Sequence, residues 1–229
     1  MRLPLRYLGL GVAVALTLAS VVAAFTVKPG YALASFGDLA QTVLLLLATL
    51  MMWRNARASR GNARLFWGLL SLGCLIWFCA QLAWVYYEVY RRVDVPDPSL
   101  VDSLFFLHIV PFMAALALRP HRRRGTGLHL GSNDLALLLV WWVYLYSFIV
   151  IPWQYVAFSP PLYALSFNAL YVVQHTVLLV ALAFLYARSS GMWHRVYGHL
   201  LVASAIYAVS SRVINWAIDS QHLLHRQRL

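Results

Sequence analysis

Long apolar runs recur along this chain, nearly empty of full charges, and each is long enough to cross a bilayer core of ~30 Å at a helical rise of ~1.5 Å per residue. Seven such runs are predicted to be spans, at residues 7–27, 36–53, 65–88, 102–118, 135–153, 162–187 and 197–217. Together they occupy most of the 229 residues. The short connections leave no room for a soluble domain, so residues 1–229 are expected to form a single transmembrane helical domain. Hydrophobic residues make up 62% and charged ones 11%, too apolar a balance for an ordinary soluble globule. Strand-like alternation is absent, which argues against a membrane barrel. The expected fold class is all-α, a polytopic membrane bundle of about seven helices.

A net charge of +11 raises nucleic acid as a partner, but the distribution of the charge excludes it. Arg54, Arg57, Arg60 and Arg64 fill one connection, and Arg119, Arg122, Arg123 and Arg124 another. Loops rich and poor in arginine alternate, as cytoplasmic and external loops do. A cytoplasmic N-terminus carrying Arg2 and Arg6 then places twelve of the eighteen Lys and Arg inside, with Arg188 and Arg195. It places Asp38, Glu88, Asp94, Asp97, Asp102 and Asp219 outside and Asp134 inside. The expected location is a bacterial inner membrane, multi-pass, with inner arginines touching anionic headgroups. The basic start and the small residues near Ala23–Ala24 also fit a cleaved signal peptide, a rival reading of the first span. Seven spans leave Arg226 and Arg228 outside, against the charge rule; an eighth span would restore it.

Proline and glycine punctuate the connections: "KPG" at 28–30, "VPDPS" at 95–99 and "SPP" at 159–161. Asp102 is expected to cap the fourth span and "SND" the fifth. Cys74 and Cys79, five apart on one helix, point to different faces and read as small buried hydrophobes. No internal repeat is visible.

Polar residues inside apolar spans are costly in lipid and are expected to face the bundle interior. Gln81 lies seven residues before Glu88, and His108 six residues into the fourth span, depths of ~10 and ~9 Å. Asn168, Tyr146 and Arg212 fall at similar depths. Gly73, Trp77, Gln81, Trp84 and Glu88 form one helical stripe. Ser204, Ala208, Ser211, Arg212, Asn215 and Asp219 form another. A buried Arg212 needs a counter-charge, and Glu88 and Asp102 are the expected partners. The candidate ligand-binding residues are therefore Gln81, Trp84, Glu88, Asp102, His108 and Arg212, lining an outward-facing polar and aromatic pocket. The competing view is that these groups only bond helices to one another.

No catalytic motif is present, neither HExxH, nor a Gly-rich phosphate loop, nor G-x-S-x-G, so no enzymatic activity is expected. Two alternatives to a ligand-binding bundle remain. A small-solute transporter would need polar groups through the inner half, where Gln174 and His175 stand nearly alone. A haem-binding redox protein would need two facing histidines, but His108 and His175 differ in depth, ~9 against ~20 Å. No cofactor is expected.

The segment "QLAWVYYEVYRRVDVPDPSLVDSLFFLHIVPFMAALAL" at 81–118 carries Trp84, Tyr87 and Glu88 as W-x-x-Y-E, then Pro96, Pro98, Ser99 and Asp102 as P-x-P-S-x-x-D, then Pro111. It resembles the multi-span N-terminal sensory region of bacterial signalling proteins that carry a histidine kinase or diguanylate cyclase output domain. "PWQYV" at 152–156 and "INWAID" at 214–219 resemble further pieces of that region. The resemblance implies a sensory module that passes ligand binding to an output domain. No kinase or cyclase lies in these residues, so a fragment, a stand-alone sensor or an excised module is expected. Expected partners are the lipid bilayer, a small-molecule or lipid ligand, a cytoplasmic kinase or cyclase domain and a second copy in a homodimer.

Overall fold

The computed structural model describes the backbone of residues 5–28, 30–93, 100–121, 132–149, 151–152 and 160–226. Side chains are described within these ranges except at 5–8, 100, 132–136, 160–164, 167 and 211–226. Among the described residues all regular structure is helical. The helices are α1 (Leu5–Thr26), α2 (Tyr31–Ala58), α3 (Gly61–Val85), a π-helical turn over Tyr86–Arg91, α4 (Leu100–Leu107), α5 (Ile109–Ala117), α6 (Ser132–Ile149), α7 (Pro160–Arg188) and α8 (Gly191–Arg226). Among the described residues four helical stretches are long and apolar enough to cross a membrane: Gly9–Thr26, Tyr31–Ala58, Gly61–Arg91 and Asn168–Arg188. Val101–Ala117 and Leu137–Ile149 are apolar but shorter. The seventh expected span lies within α8, whose side chains are described only as far as Ser210.

Two compact units divide the chain, residues 1–164 and 165–229. In the first, α3 is the hub. It packs on α2 along one side and on α4 and α5 along another, α1 covers α2, and α6 packs on α4 and α5. Phe66, Leu70, Cys74 and Ala80 of α3 are buried, as are Ile109, Val110, Ala114 and Ala115 of α5. Phe106 is fully buried against the rings of Trp142 and Tyr146, at 5.8 and 5.1 Å. Midway along the α2–α3 seam, Ser71 Oγ donates to the Thr49 carbonyl at 3.0 Å. Apart from Gly9, no described residue in the apolar window of α1 is buried, and Phe25 is 88% exposed. So much uncovered apolar surface is intolerable in water but ordinary against acyl chains.

The break between α4 and α5 follows from Pro111. Proline has no N–H to give the Leu107 carbonyl four residues back, and its ring crowds that carbonyl. His108 sits at the interruption and keeps one helical bond, its N–H to the Leu104 carbonyl at 3.0 Å. The expected fourth span is thus two short helices. Asp102 lies inside the first turn of α4, where the helix dipole favours a carboxylate, not at the capping position before it. At the far end Arg119 takes a left-handed φ of 43°, uncommon for a non-glycine residue, and Pro120 follows where the helix has ended.

The second unit is a hairpin of α7 and α8, closed by Ser189, Ser190 and Gly191. Its φ of 62° is the left-handed value that glycine adopts without steric cost. The α2–α3 hairpin turns the same way, through Ser59, Arg60 and Gly61, with φ 58° at the glycine. Ser59 and Ser189, Gly61 and Gly191, Gly68 and Gly198, and Leu70 and Leu200 all stand 130 positions apart. Two hairpins of one build are therefore present where the sequence offered no visible repeat. The cue is sparse because only the turn and a few small positions are held in common, while the apolar residues around them differ.

Candidate functional site

The site grows out of the Tyr31 end of the α2–α3 hairpin. α2 begins directly after Gly30, five residues earlier than the expected span, so Asp38 lies seven residues into the helix, ~10 Å along it. That puts it level with Gln81 on the antiparallel α3. Gln81 is 3% exposed, and its Nε2 donates to Asp38 Oδ1 at 3.4 Å. The other Asp38 oxygen is shut off from solvent. Glu88, on the π-helical turn, is a near neighbour of the Asp38 carboxyl. Two acids and a buried amide therefore converge at this end of the hairpin.

The π-helical turn is stapled to α2. Tyr31 Oη donates to the Val89 carbonyl at 2.7 Å. Arg92 closes the turn in a left-handed conformation, φ 54° and ψ 41°, which costs a non-glycine residue roughly 1–2 kcal/mol. Its guanidinium lies 4.6 Å from the Tyr31 ring centroid, a cation–π contact that offsets part of that cost. π turns interrupt helices mostly at functional positions, and this one carries Glu88.

The other candidates face elsewhere. At ~100° per residue, the expected stripe on α3 is an arc with Gly73 and Trp84 on one edge and Gln81 on the other. The arc is shared between two neighbours. Gln81 and Glu88 meet α2 at Asp38. Trp84 meets Phe105 of α4 edge-on at 5.7 Å, and Trp77 lies 4.8 Å from the His108 ring. His108 is 2% exposed, held between Trp77 and Phe112, the latter at 5.8 Å. Its Nδ1 bonds the Phe105 carbonyl; a carbonyl only accepts, so Nδ1 carries a proton. Gly73 lets α5 approach, because a Cβ there would fall 2.8 Å from the His108 carbonyl and 2.4 Å from Phe112.

Asp102 is half-buried in α4. Tyr146 is buried in the α4–α6 contact. The Arg212 side chain, and with it the expected carboxylate contact, lies outside the described residues. In the second unit, Asn168 is half-buried, and His175 Nδ1–H donates to the Tyr171 carbonyl at 2.8 Å. Tyr171 and Tyr207 join α7 to α8 through their hydroxyls at 2.5 Å. Among the described residues no group of three or more His, Cys, Asp or Glu is placed to hold a metal ion.

Sequence reasoning missed Asp38, Tyr31 and Arg92. Asp38 stands near the start of the expected span at 36–53 and so read as an external charge at a helix mouth. Comparison with family models, curated proteins and solved structures finds no match to this chain.

Proposed function

We propose that the chain is a membrane-embedded sensory, ligand-binding module of a bacterial inner membrane, with its N-terminus in the cytoplasm. Asp38, Gln81 and Glu88 form the input site. The observation that carries this reading is their convergence beside a π turn clamped by Tyr31 and Arg92. The arginine-rich connection at the opposite end of the same hairpin supports the orientation, since it belongs on the cytoplasmic side. The input site then opens toward the outside.

A cation or a protonated amine entering between the carboxyls offsets their like charges. Glu88 then shifts relative to Asp38, and the π turn that carries Glu88 shifts with it. α3 is packed against α5 at Gly73 with no slack, so a displacement of α3 is passed to α4 and α5 as a change between discrete packings. A ligand acts on such an equilibrium only through its different affinity for the two states. The resemblance at 81–118 suggests a kinase or cyclase domain as the recipient.

Thermal unfolding in lipid nanodiscs, against a panel of small amines and monovalent cations, tests the reading. The expected result is a stabilising compound whose shift disappears in the Asp38→Asn, Glu88→Gln double variant and which slows hydrogen exchange over residues 86–92. A panel with no active member, or a shift that survives in the double variant, overturns it.

A further inference from the structure

The opposite end of the α2–α3 hairpin holds a second feature. There the helices leave a cleft of about 530 Å³, lined by Trp53, Ala56, Arg57, Arg64, Leu65 and Gly68. Its walls are mostly carbon. Trp53 and Leu65 are 54% and 55% exposed, and both arginines are exposed. Among the described residues neither guanidinium meets a carboxylate; Asp38 and Glu88 lie at the other end of the hairpin. A Cβ added to Gly68 would meet no atom within 4 Å.

The α7–α8 hairpin shows the same place closed. Counting 130 positions on from Ala56, Arg64 and Gly68 gives Tyr186, His194 and Gly198. The Tyr186 ring stacks on His194 at 4.0 Å, and His194 Nδ1–H donates to the Tyr186 carbonyl at 3.0 Å. A Cβ on Gly198 would meet the Tyr186 ring at 3.0 Å. Arg188 is engaged as well, its guanidinium 4.8 Å from the Phe184 ring centroid. One hairpin fills this space with its own aromatic ring. The other leaves it open, with two unopposed cations at the rim.

We propose that the α2–α3 cleft binds an anionic phospholipid. The phosphate sits on Arg57 and Arg64, and the glycerol and first acyl carbons run over Gly68 between Trp53 and Leu65. Guanidinium forks match phosphate oxygens in geometry as well as charge. Trp is the side chain that settles at the level where headgroup meets acyl chain. The carbonyl end of α2 and the N–H end of α3 abut here, so their dipoles largely offset and the arginines decide the charge of the ligand. A free anion would gain little from walls of carbon, whereas a lipid uses both the walls and the rim.

The inference rests on the membrane reading and not on the carboxyl site. The test takes the full chain from bilayer nanodiscs and counts retained lipid by native mass spectrometry. Phosphatidylglycerol, phosphatidylcholine and inorganic phosphate are the probes. Phosphatidylglycerol is expected to be retained over phosphatidylcholine by about thirtyfold, the scale set by two arginines near anionic headgroups. Inorganic phosphate should neither bind at millimolar concentration nor displace the lipid. Gly68→Leu, whose Cβ would meet no atom within 4 Å, puts a side chain into the cleft and should abolish retention while leaving helicity intact. The Arg57→Gln, Arg64→Gln double variant should abolish the preference for the anionic lipid. Equal retention of both lipids, retention by Gly68→Leu, or displacement by inorganic phosphate overturns the proposal. A chain that does not enter nanodiscs refutes the membrane reading and the lipid site together; entry without preference refutes the lipid site alone.

Discussion

The α2–α3 and α7–α8 hairpins share a turn, a left-handed glycine and a second glycine seven residues later, yet they use the shared frame differently. In α7–α8 the residues turned toward one another are aromatic. Tyr186 lies on His194 near the turn, and Tyr171 meets Tyr207 further along. In α2–α3 the same frame carries acids and an amide at one end and an open basic cleft at the other. A helical hairpin needs only its turn and its small contact positions to fold this way. What lines the remaining space is left to other demands.

Glycines give the most severe way to break that comparison. Gly73 is backed by the His108 carbonyl and the Phe112 ring, so Gly73→Leu should cost ~3 kcal/mol or more through overpacking and lower the unfolding temperature more than any change below. A variant that melts like the parent would mean that α3 and α5 do not pack as described.

Next in size is the acid. Asp38→Ala leaves Gln81 without its acceptor in a buried position and should cost ~1–3 kcal/mol. Asp38→Asn keeps an acceptor, and asparagine already stands 130 residues on, at Asn168. Its melting temperature should stay close to the parent's. Equal losses in the two variants would show that the negative charge matters rather than the hydrogen bonds.

Removing the aromatic plug probes the second hairpin. Tyr186→Ala should cost ~0.5–1.5 kcal/mol of stacking and open a second cleft beside Arg188 and Arg195. Native mass spectrometry should then count one more retained phosphatidylglycerol. An unchanged lipid count would show that the two places are not equivalent.

The smallest effect has the opposite sign. Gly68→Ala removes glycine's excess freedom in a helix interior and meets no neighbour, so it should stabilise by ~0.5–1 kcal/mol. Gly198→Ala presses on Tyr186 and should gain nothing. Chemical unfolding of the pair side by side measures the difference.

Much of the fold was legible because its causes are local. Apolar length marked the helices, and "KPG", Pro120 and Gly61 marked where they stop. Pro111 also announced the break at His108, although the fourth span was read as continuous. The site was legible only in part. Gln81 and Glu88 stood out as polar groups in an apolar helix, but their partner did not, because Asp38 looked like a residue at a helix mouth. His108 drew notice by its depth alone; a ring closed between Trp77 and Phe112 depends on α5 approaching Gly73.

The amino-acid sequence by itself determined that the chain is helical, that several of its stretches are apolar enough to cross a membrane, and which hairpin end is basic. Those properties depend on hydropathy, helical rise and the steric rules of proline and glycine, and they act within a few residues. Only the tertiary structure decided that α3 divides its polar arc between α2 and the α4–α5 pair. It also decided that one cleft stays open while its counterpart is filled. These outcomes depend on the shapes of side chains distant in sequence, which no local pattern encodes.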